Sequence, residues 1–276
     1  MSEFARDPIY DETEGMARLI ALMRRLRDPD TGCPWDIEQD FDSIAPYTIE
    51  EAHEVADAIE RRAWPELEGE LGDLLLQVVY FAQMGHEAGH FDFDSIARTV
   101  TAKMIDRHPH VFGSDSRDKS AEQQTRDWEV QKARERGAQG QTGTLDGVAL
   151  GLPALTRALK LQKRAARVGF DWNDPGAVLA KVAEEAGELA EAAASHSADR
   201  TEDEMGDLLF VMVNLARHLG VDAEAALRRT NAKFMRRFGS VETALQAAGR
   251  SPAEASLDEM DALWTKAKNA EKQGGA

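Results

Sequence analysis

Residues 50–76, EEAHEVADAIERRAWPELEGELGDLLL, return 134 positions later as residues 184–210, EEAGELAEAAASHSADRTEDEMGDLLF. Glu50, Glu51 and Glu54 fall on Glu184, Glu185 and Glu188. Glu70, Gly72, Asp73, Leu74 and Leu75 fall on Glu204, Gly206, Asp207, Leu208 and Leu209. With small changes of register the echo extends further. Ala102-Lys103 and Arg107 match Ala232-Lys233 and Arg237, Trp128 and Lys132 match Trp264 and Lys268, and Pro34-Trp35-Asp36 resembles Phe170-Asp171-Trp172. Two copies of one unit are thereby required, and whatever fold one half adopts the other must adopt too.

That unit is helical. β-branched runs are rare, and apolar residues recur at helical spacing, as at Met16, Leu19, Ile20, Met23 and Leu26. The pattern predicts helices over residues 16–26, 48–62, 65–88, 94–107 and 119–136 in the first half. In the second half it predicts them over 153–167, 176–197, 201–219, 222–238 and 256–272, with no strand in either. GAQGQTG at 137–143 is small, polar and glycine-rich, as a linker is. The expected organisation is all-α, with one helical-bundle domain over 1–136, a linker over 137–152 and a second such domain over 153–276.

The net charge of -17 repels nucleic-acid phosphates and argues against a DNA or RNA partner. No apolar run reaches the roughly 20 residues a bilayer requires, and MSEFARDPIY lacks the basic-then-apolar order of a signal peptide. A single cysteine, Cys33, excludes an intrachain disulfide and fits a reducing cytosol. Cytoplasmic residence without membrane attachment is the expectation, and Cys33 is read as a turn residue rather than a nucleophile.

The acids carry the chemistry. Residues three apart share a helix face, which pairs Glu51 with Glu54, Glu70 with Asp73, Glu185 with Glu188 and Glu204 with Asp207. Leu208, Leu209, Val211 and Met212 indicate that the helix after Asp207 is largely buried. Two such helices folded back on each other gather four carboxylates, which repel one another unless a cation lies between them. Mg²⁺ suits all-oxygen ligation shared with water and phosphates, with Mn²⁺ the alternative. One Glu-x-x-Glu alone is usually a solvated helix face. Two pairs, 19 residues apart and present in both halves, call for more than that.

Lys233 and Arg237, four apart, share a helix face, as do Trp264 and Lys268. Alone, the first pair is a basic surface among Arg228, Arg229 and Arg236, and the tryptophan a core residue. Together with the acids they make a nucleotide site of metal, cations and an aromatic platform. No glycine-rich phosphate loop is present, so phosphate contacts must come from side chains and metal.

These residues, with GCPWD (32–36), IAPYTIEEAHEV (44–55), GELGDLL (69–75), RHPHVF (107–112) and GFDW (169–172), resemble the MazG nucleoside triphosphate pyrophosphohydrolases of the all-α pyrophosphatase superfamily, over nearly the whole chain. The resemblance implies Mg²⁺-dependent hydrolysis of ribo- and deoxynucleoside triphosphates, with broad base specificity, to monophosphate and pyrophosphate by a homodimer of helical subunits. It implies that Glu185, Glu188, Glu204 and Asp207 hold the metal and that Glu184 orients or deprotonates water. Lys181, Arg200, Lys233 and Arg237 then offset triphosphate charge, Lys233 and Arg237 also acting in catalysis, while Trp264 stacks on the base beside Lys268. Glu51, Glu54, Glu70 and Asp73 form a possible second metal site. Lys181 corresponds to Tyr47 and Arg200 to Glu66, so the second half is expected to be the principal catalytic one and the first to serve structure or regulation.

Other readings stay open at this stage. Glu50-x-x-His53 has no second copy, since Gly187 stands where His53 does, and this argues against a di-iron carboxylate site. His108 and His110, on either side of Pro109, are read as loop residues, and Met84, Met104, Met205 and Met212 as packing residues. A helical regulatory or interaction protein that binds metal or nucleotide without turnover would release no pyrophosphate from dGTP. An enzyme confined to phosphoribosyl-ATP would turn over ordinary triphosphates poorly.

Overall fold

The computed structural model describes residues 7–12, 14–138, 140, 143–172 and 174–274, and among them there is no strand. The chain forms two compact units, Met1–Gln131 and Lys132–Ala276. In chain order the helices are α1 Met16–Leu26, α2 Pro34–Glu38, α3 Phe41–Arg61, α4 Trp64–Glu87, α5 Phe93–Asp106, α6 Pro109–Phe112 and α7 Ala121–Ala138. They continue with α8 Ala154–Arg167, α9 Pro175–Ala194, α10 Ala198–His218, α11 Ala223–Ala247 and α12 Leu257–Gly274. Of the predicted linker, Gly137 and Ala138 continue α7, while Gln139, Gln141 and Thr142 lie outside the described residues.

Each unit is organised around one helical hairpin. In the first, α3 folds back on α4, with α1 and α5 packed on α4. Met23, Ile44, Val79, Tyr80 and Met84 form its buried cluster, with Leu19, Ile20, Leu76, Phe81 and Phe93 against it. In the second, α9 folds back on α10, α8 packs on α10, and α11 rests on both α8 and α10 and carries α12. Val178, Ala192, Val211, Val213, Val241 and Leu245 are buried there.

The duplication extends to the backbone. The α3–α4 turn passes through Arg62 at φ 59° and the α9–α10 turn through His196 at φ 58°, left-handed conformations that side chains rarely adopt, 134 positions apart. The turns are closed differently. Arg61 bridges Asp57 at 2.6 Å and Glu66 at 2.7 Å in the first, while Ser197 caps α10 by accepting from the Arg200 N–H at 3.4 Å in the second.

Several elements differ from expectation. α3 begins at Phe41 rather than residue 48, because Asp40 and Ser43 form a reciprocal capping box and Ile44, buried in the first turn, anchors the extension. Pro46 is tolerated inside the helix because the carbonyl its missing N–H would have met belongs to exposed Asp42. α5 stops at Asp106, ahead of Pro109, whereas its counterpart α11 runs on to Ala247 with Val241 and Leu245 buried along it. The helix after Asp207 is only half covered. Val211 is buried, but Leu209 is 49% and Met212 45% exposed, although α8, α9 and α11 all pack on α10.

Candidate metal and nucleotide site

In the second unit, Glu185 and Glu188 on α9 and Glu204 on α10 each bring a carboxylate oxygen within 4.8 Å of the others. Asp174 accepts the Ala177 N–H at 2.9 Å and starts α9, which puts the two glutamates one turn apart on the side facing α10. Glu185 is buried, Glu204 half-buried and Glu188 exposed. Asp207, exposed one turn after Glu204, stands outside this group. In the first unit the corresponding group is Glu51, Glu70 and Asp73, again within 4.8 Å, with Glu54 standing apart. Among the described residues no histidine joins either group, and His53 is exposed.

The electrostatics of the two groups differ. Partial burial, then Asp73, Glu54, Glu70 and Glu50, push the Glu51 carboxyl above the ordinary glutamate value. Burial, then Glu54 and Asp73, do the same to Glu70. In the second unit burial and Glu185 raise Glu188, but Lys181 opposes them. Its ammonium lies 2.9 Å from Glu184 and 2.7 Å from Glu185, and these two carboxylates hold it above the usual lysine value. Lys181 thus stands against the acids as a resident cation, a place that Tyr47 cannot fill in the first unit. Glu184, expected beside water, is exposed and paired with Lys181.

The donor set of each group fits a hard divalent cation: carboxylate oxygens only, close enough to share one ion. Three such acids facing one another across a hairpin are unfavourable unless a positive charge is shared among them.

The expected nucleotide-binding residues lie on α11 and α12. The Arg237 guanidinium carbon is 5.7 Å from the Trp264 ring centroid, and Phe234 tilts against the same ring at 5.2 Å. Lys233, one turn before Arg237, is half-buried, and Lys268 is exposed one turn after Trp264. Arg200 is exposed in the first turn of α10. The structure therefore brings together two sets, acids with Lys181 on α9 and α10, and cations with Trp264 on α11 and α12, and α11 packs on α10.

Two features were not singled out in the sequence. One is the tie between the GFDW turn and α10: Arg217 pairs with Asp171 and reaches Asn214 Oδ1 at 3.1 Å, while His218 Nε2 lies 3.3 Å from Asp171. Its counterpart in the first unit is built from other residues, with the Tyr80 hydroxyl 2.9 Å from the Asp36 carbonyl and 3.0 Å from Asp36 Oδ1. The echo between Pro34-Trp35-Asp36 and Phe170-Asp171-Trp172 was the available signal. The other is Glu271 on α12, which pairs with both Arg236 and Arg237 at 2.8 Å.

The family model of the MazG nucleotide pyrophosphohydrolase domain matches the chain twice, over residues 39–112 and 174–241, spans that contain the two acid hairpins. A nucleoside triphosphate pyrophosphohydrolase of Escherichia coli (strain K12) is 50% identical over 92% of this chain and 97% of its own length. A nucleoside triphosphate pyrophosphohydrolase/pyrophosphatase of Thermotoga maritima is 41% identical over 92% of this chain and 96% of its own. A nucleoside triphosphate pyrophosphohydrolase of Mycobacterium tuberculosis is 37% identical over 59% of this chain and 48% of its own. The chain belongs to the MazG nucleotide pyrophosphohydrolase family and carries that domain in tandem.

Proposed function

We propose that this enzyme hydrolyses nucleoside triphosphates to the monophosphate and pyrophosphate with Mg²⁺ or Mn²⁺, and that the second unit is its principal catalytic half. The observation that carries the reading is the triad of Glu185, Glu188 and Glu204 within 4.8 Å, with Lys181 against Glu185, inside a MazG domain. Those three acids, with Asp207 one turn away, would hold the cation. A divalent cation bound there supplies charge neutralisation and an activated water.

The chain's own residues do the rest. A triphosphate carries about four negative charges and one divalent cation offsets two. Lys181, one helical turn before Glu185 on the same face, would offer its ammonium to the phosphates. Arg200, Lys233 and Arg237 supply further positive charge, Lys268 lies beside them, and Trp264 offers a ring face to the base. Glu184, beside Lys181, would accept a proton from water or orient it. The first unit keeps Glu51, Glu54, Glu70 and Asp73 but has Tyr47 and Glu66 where Lys181 and Arg200 stand. It is suited to structure or regulation, with a possible second metal site.

The apolar surface left open on both acid hairpins, Leu71, Leu75 and Val78 on α4 and Leu209, Phe210 and Met212 on α10, supports a homodimer or larger homo-oligomer. No helix among the described residues is long and apolar enough to cross a membrane. With the single cysteine and the acidic charge, this supports a cytoplasmic enzyme that acts on free nucleotides.

The test is pyrophosphate release from dGTP with Mg²⁺, with Mn²⁺ and with chelator. Turnover is expected with metal and is lost with chelator. Glu185→Ala and Asp207→Ala are each expected to lose it while keeping the helical circular dichroism of the parent. Near wild-type rates in either variant at saturating Mg²⁺ would show that this ligand set is wrong.

A further inference from the structure

We propose that Glu271 is a positioning residue for Arg237, a role that rests on the reading of Arg237 as a triphosphate ligand. One carboxylate oxygen, Oε2, accepts from Arg237 Nε at 2.8 Å and lies 2.8 Å from its Nη2, and the other, Oε1, accepts from Arg236 Nε at 2.8 Å. Arg236 and Arg237 hold the Glu271 carboxyl below the usual glutamate range, so it is charged at neutral pH.

Arg237 is thereby fixed from two sides, by the carboxylate on its Nε edge and by the Trp264 ring 5.7 Å from its guanidinium carbon. Only 15% of its side chain is exposed, against 61% for Arg236. A guanidinium has five N–H donors. Glu271 takes the Nε–H and lies against Nη2 on one edge of the guanidinium, and phosphate oxygens would meet the other edge. Trp264, Lys268 and Glu271 are spaced i, i+4, i+7, so one face of α12 carries the ring, a cation and the residue that orients Arg237.

An independent observation comes from the repeat. The first half has the same spacing in Trp128, Lys132 and Glu135, and the Arg107 guanidinium carbon lies 5.9 Å from the Trp128 ring centroid. Duplication has therefore kept an arginine over a tryptophan together with a glutamate seven residues after that tryptophan. The position of Arg236 is Asp106 in the first half. What the two halves share is the stacked arginine and the glutamate, and the second arginine is peculiar to one of them.

Ordering a long side chain before the ligand arrives removes that cost from binding, about three- to tenfold in affinity for one such side chain. The experiment measures kcat and KM for dGTP with Mg²⁺ in Arg237→Ala, Glu271→Ala, the double variant and Arg236→Ala. Glu271→Ala is expected to raise KM three- to tenfold with kcat within twofold, and to add nothing in the Arg237→Ala background. Arg236→Ala, which breaks the other arm of the same bridge between α11 and α12, is expected to leave KM near the parent value. If Arg237→Ala raises KM and Glu271→Ala does not, the positioning role is overturned and the site reading stands. An equal rise in KM for Arg236→Ala and Glu271→Ala also overturns it, leaving a tie between helices. If Arg237→Ala itself leaves KM unchanged, the assignment of Arg237 to the triphosphate fails, and the inference fails with it.

Discussion

Replacing Asp171 by alanine removes the acid that holds the GFDW turn against the end of α10. Arg217 loses its ionic partner and keeps Asn214 Oδ1 at 3.1 Å, and His218 loses the same carboxylate at 3.3 Å. Breaking a fully buried pair costs about 3–5 kcal/mol. The Asp171 side chain is 25% exposed and that of Arg217 15%, so solvent screening brings the expected loss to about 1–2 kcal/mol. At about 2–4 °C per kcal/mol, this is a fall in melting temperature of about 2–8 °C. The loss has a defined pH dependence. Burial raises the Asp171 carboxyl, but Arg217 and His218 lower it further, and its net position is below the ordinary aspartate value. A depressed acid contributes its stability in full above the unfolded value of about 4 and loses it as pH falls through the depressed one. Melting followed by circular dichroism at pH 7 and near pH 2.5 should show the gap between parent and Asp171→Ala at neutral pH and its narrowing in acid. Equal melting temperatures at pH 7, or a gap that widens in acid, would refute the reasoning.

The matching tie in the first unit depends on a neutral donor. Tyr80, whose hydroxyl is pushed up to about 12 chiefly by burial, stays protonated across that range. Tyr80→Phe should therefore cost about 1 kcal/mol at pH 7 and leave kcat and KM for dGTP near the parent values; a loss of turnover would place the first unit in the reaction. Light scattering at micromolar concentration should give at least twice the 30.4 kDa chain mass, and a mass near 30.4 kDa would remove the homo-oligomer. Excess Mg²⁺, at about a hundred times its dissociation constant, should add about 2.7 kcal/mol of stability to the parent. Glu185→Ala/Glu188→Ala should reduce that gain, and an unchanged gain would place the metal elsewhere.

Much of this architecture is legible in the residues because it is written twice. One Glu-x-x-Glu is uninformative, but four pairs at a common spacing and a common offset define two hairpins, and Glu185, Glu188 and Glu204 do converge. Helical spacing does not reveal where side chains point once the backbone is fixed. Asp207 shares the Glu204 face by spacing yet stands outside the group of three. The ion pair between Lys181 and Glu185 is legible at i, i+4, although the charge of a triphosphate directs attention from Lys181 to phosphate instead. The end of α11 is hidden because Gly239 and Ser240 interrupt its apolar pattern, while Val241 and Leu245 resume it and are buried. The open face of α10 reads as core because Leu209 and Met212 are core-type residues, and composition does not say whether a covering surface comes from the same chain.

Everything proposed for the site depends on which half hydrolyses the triphosphate. The decisive experiment is pyrophosphate release by two matched variants, Glu51→Ala/Glu54→Ala and Glu185→Ala/Glu188→Ala, at saturating dGTP and Mg²⁺. The second variant is expected to lose turnover and the first to keep most of it. Equal losses, or a larger loss in the Glu51/Glu54 variant, would contradict the assignment of catalysis to the second unit.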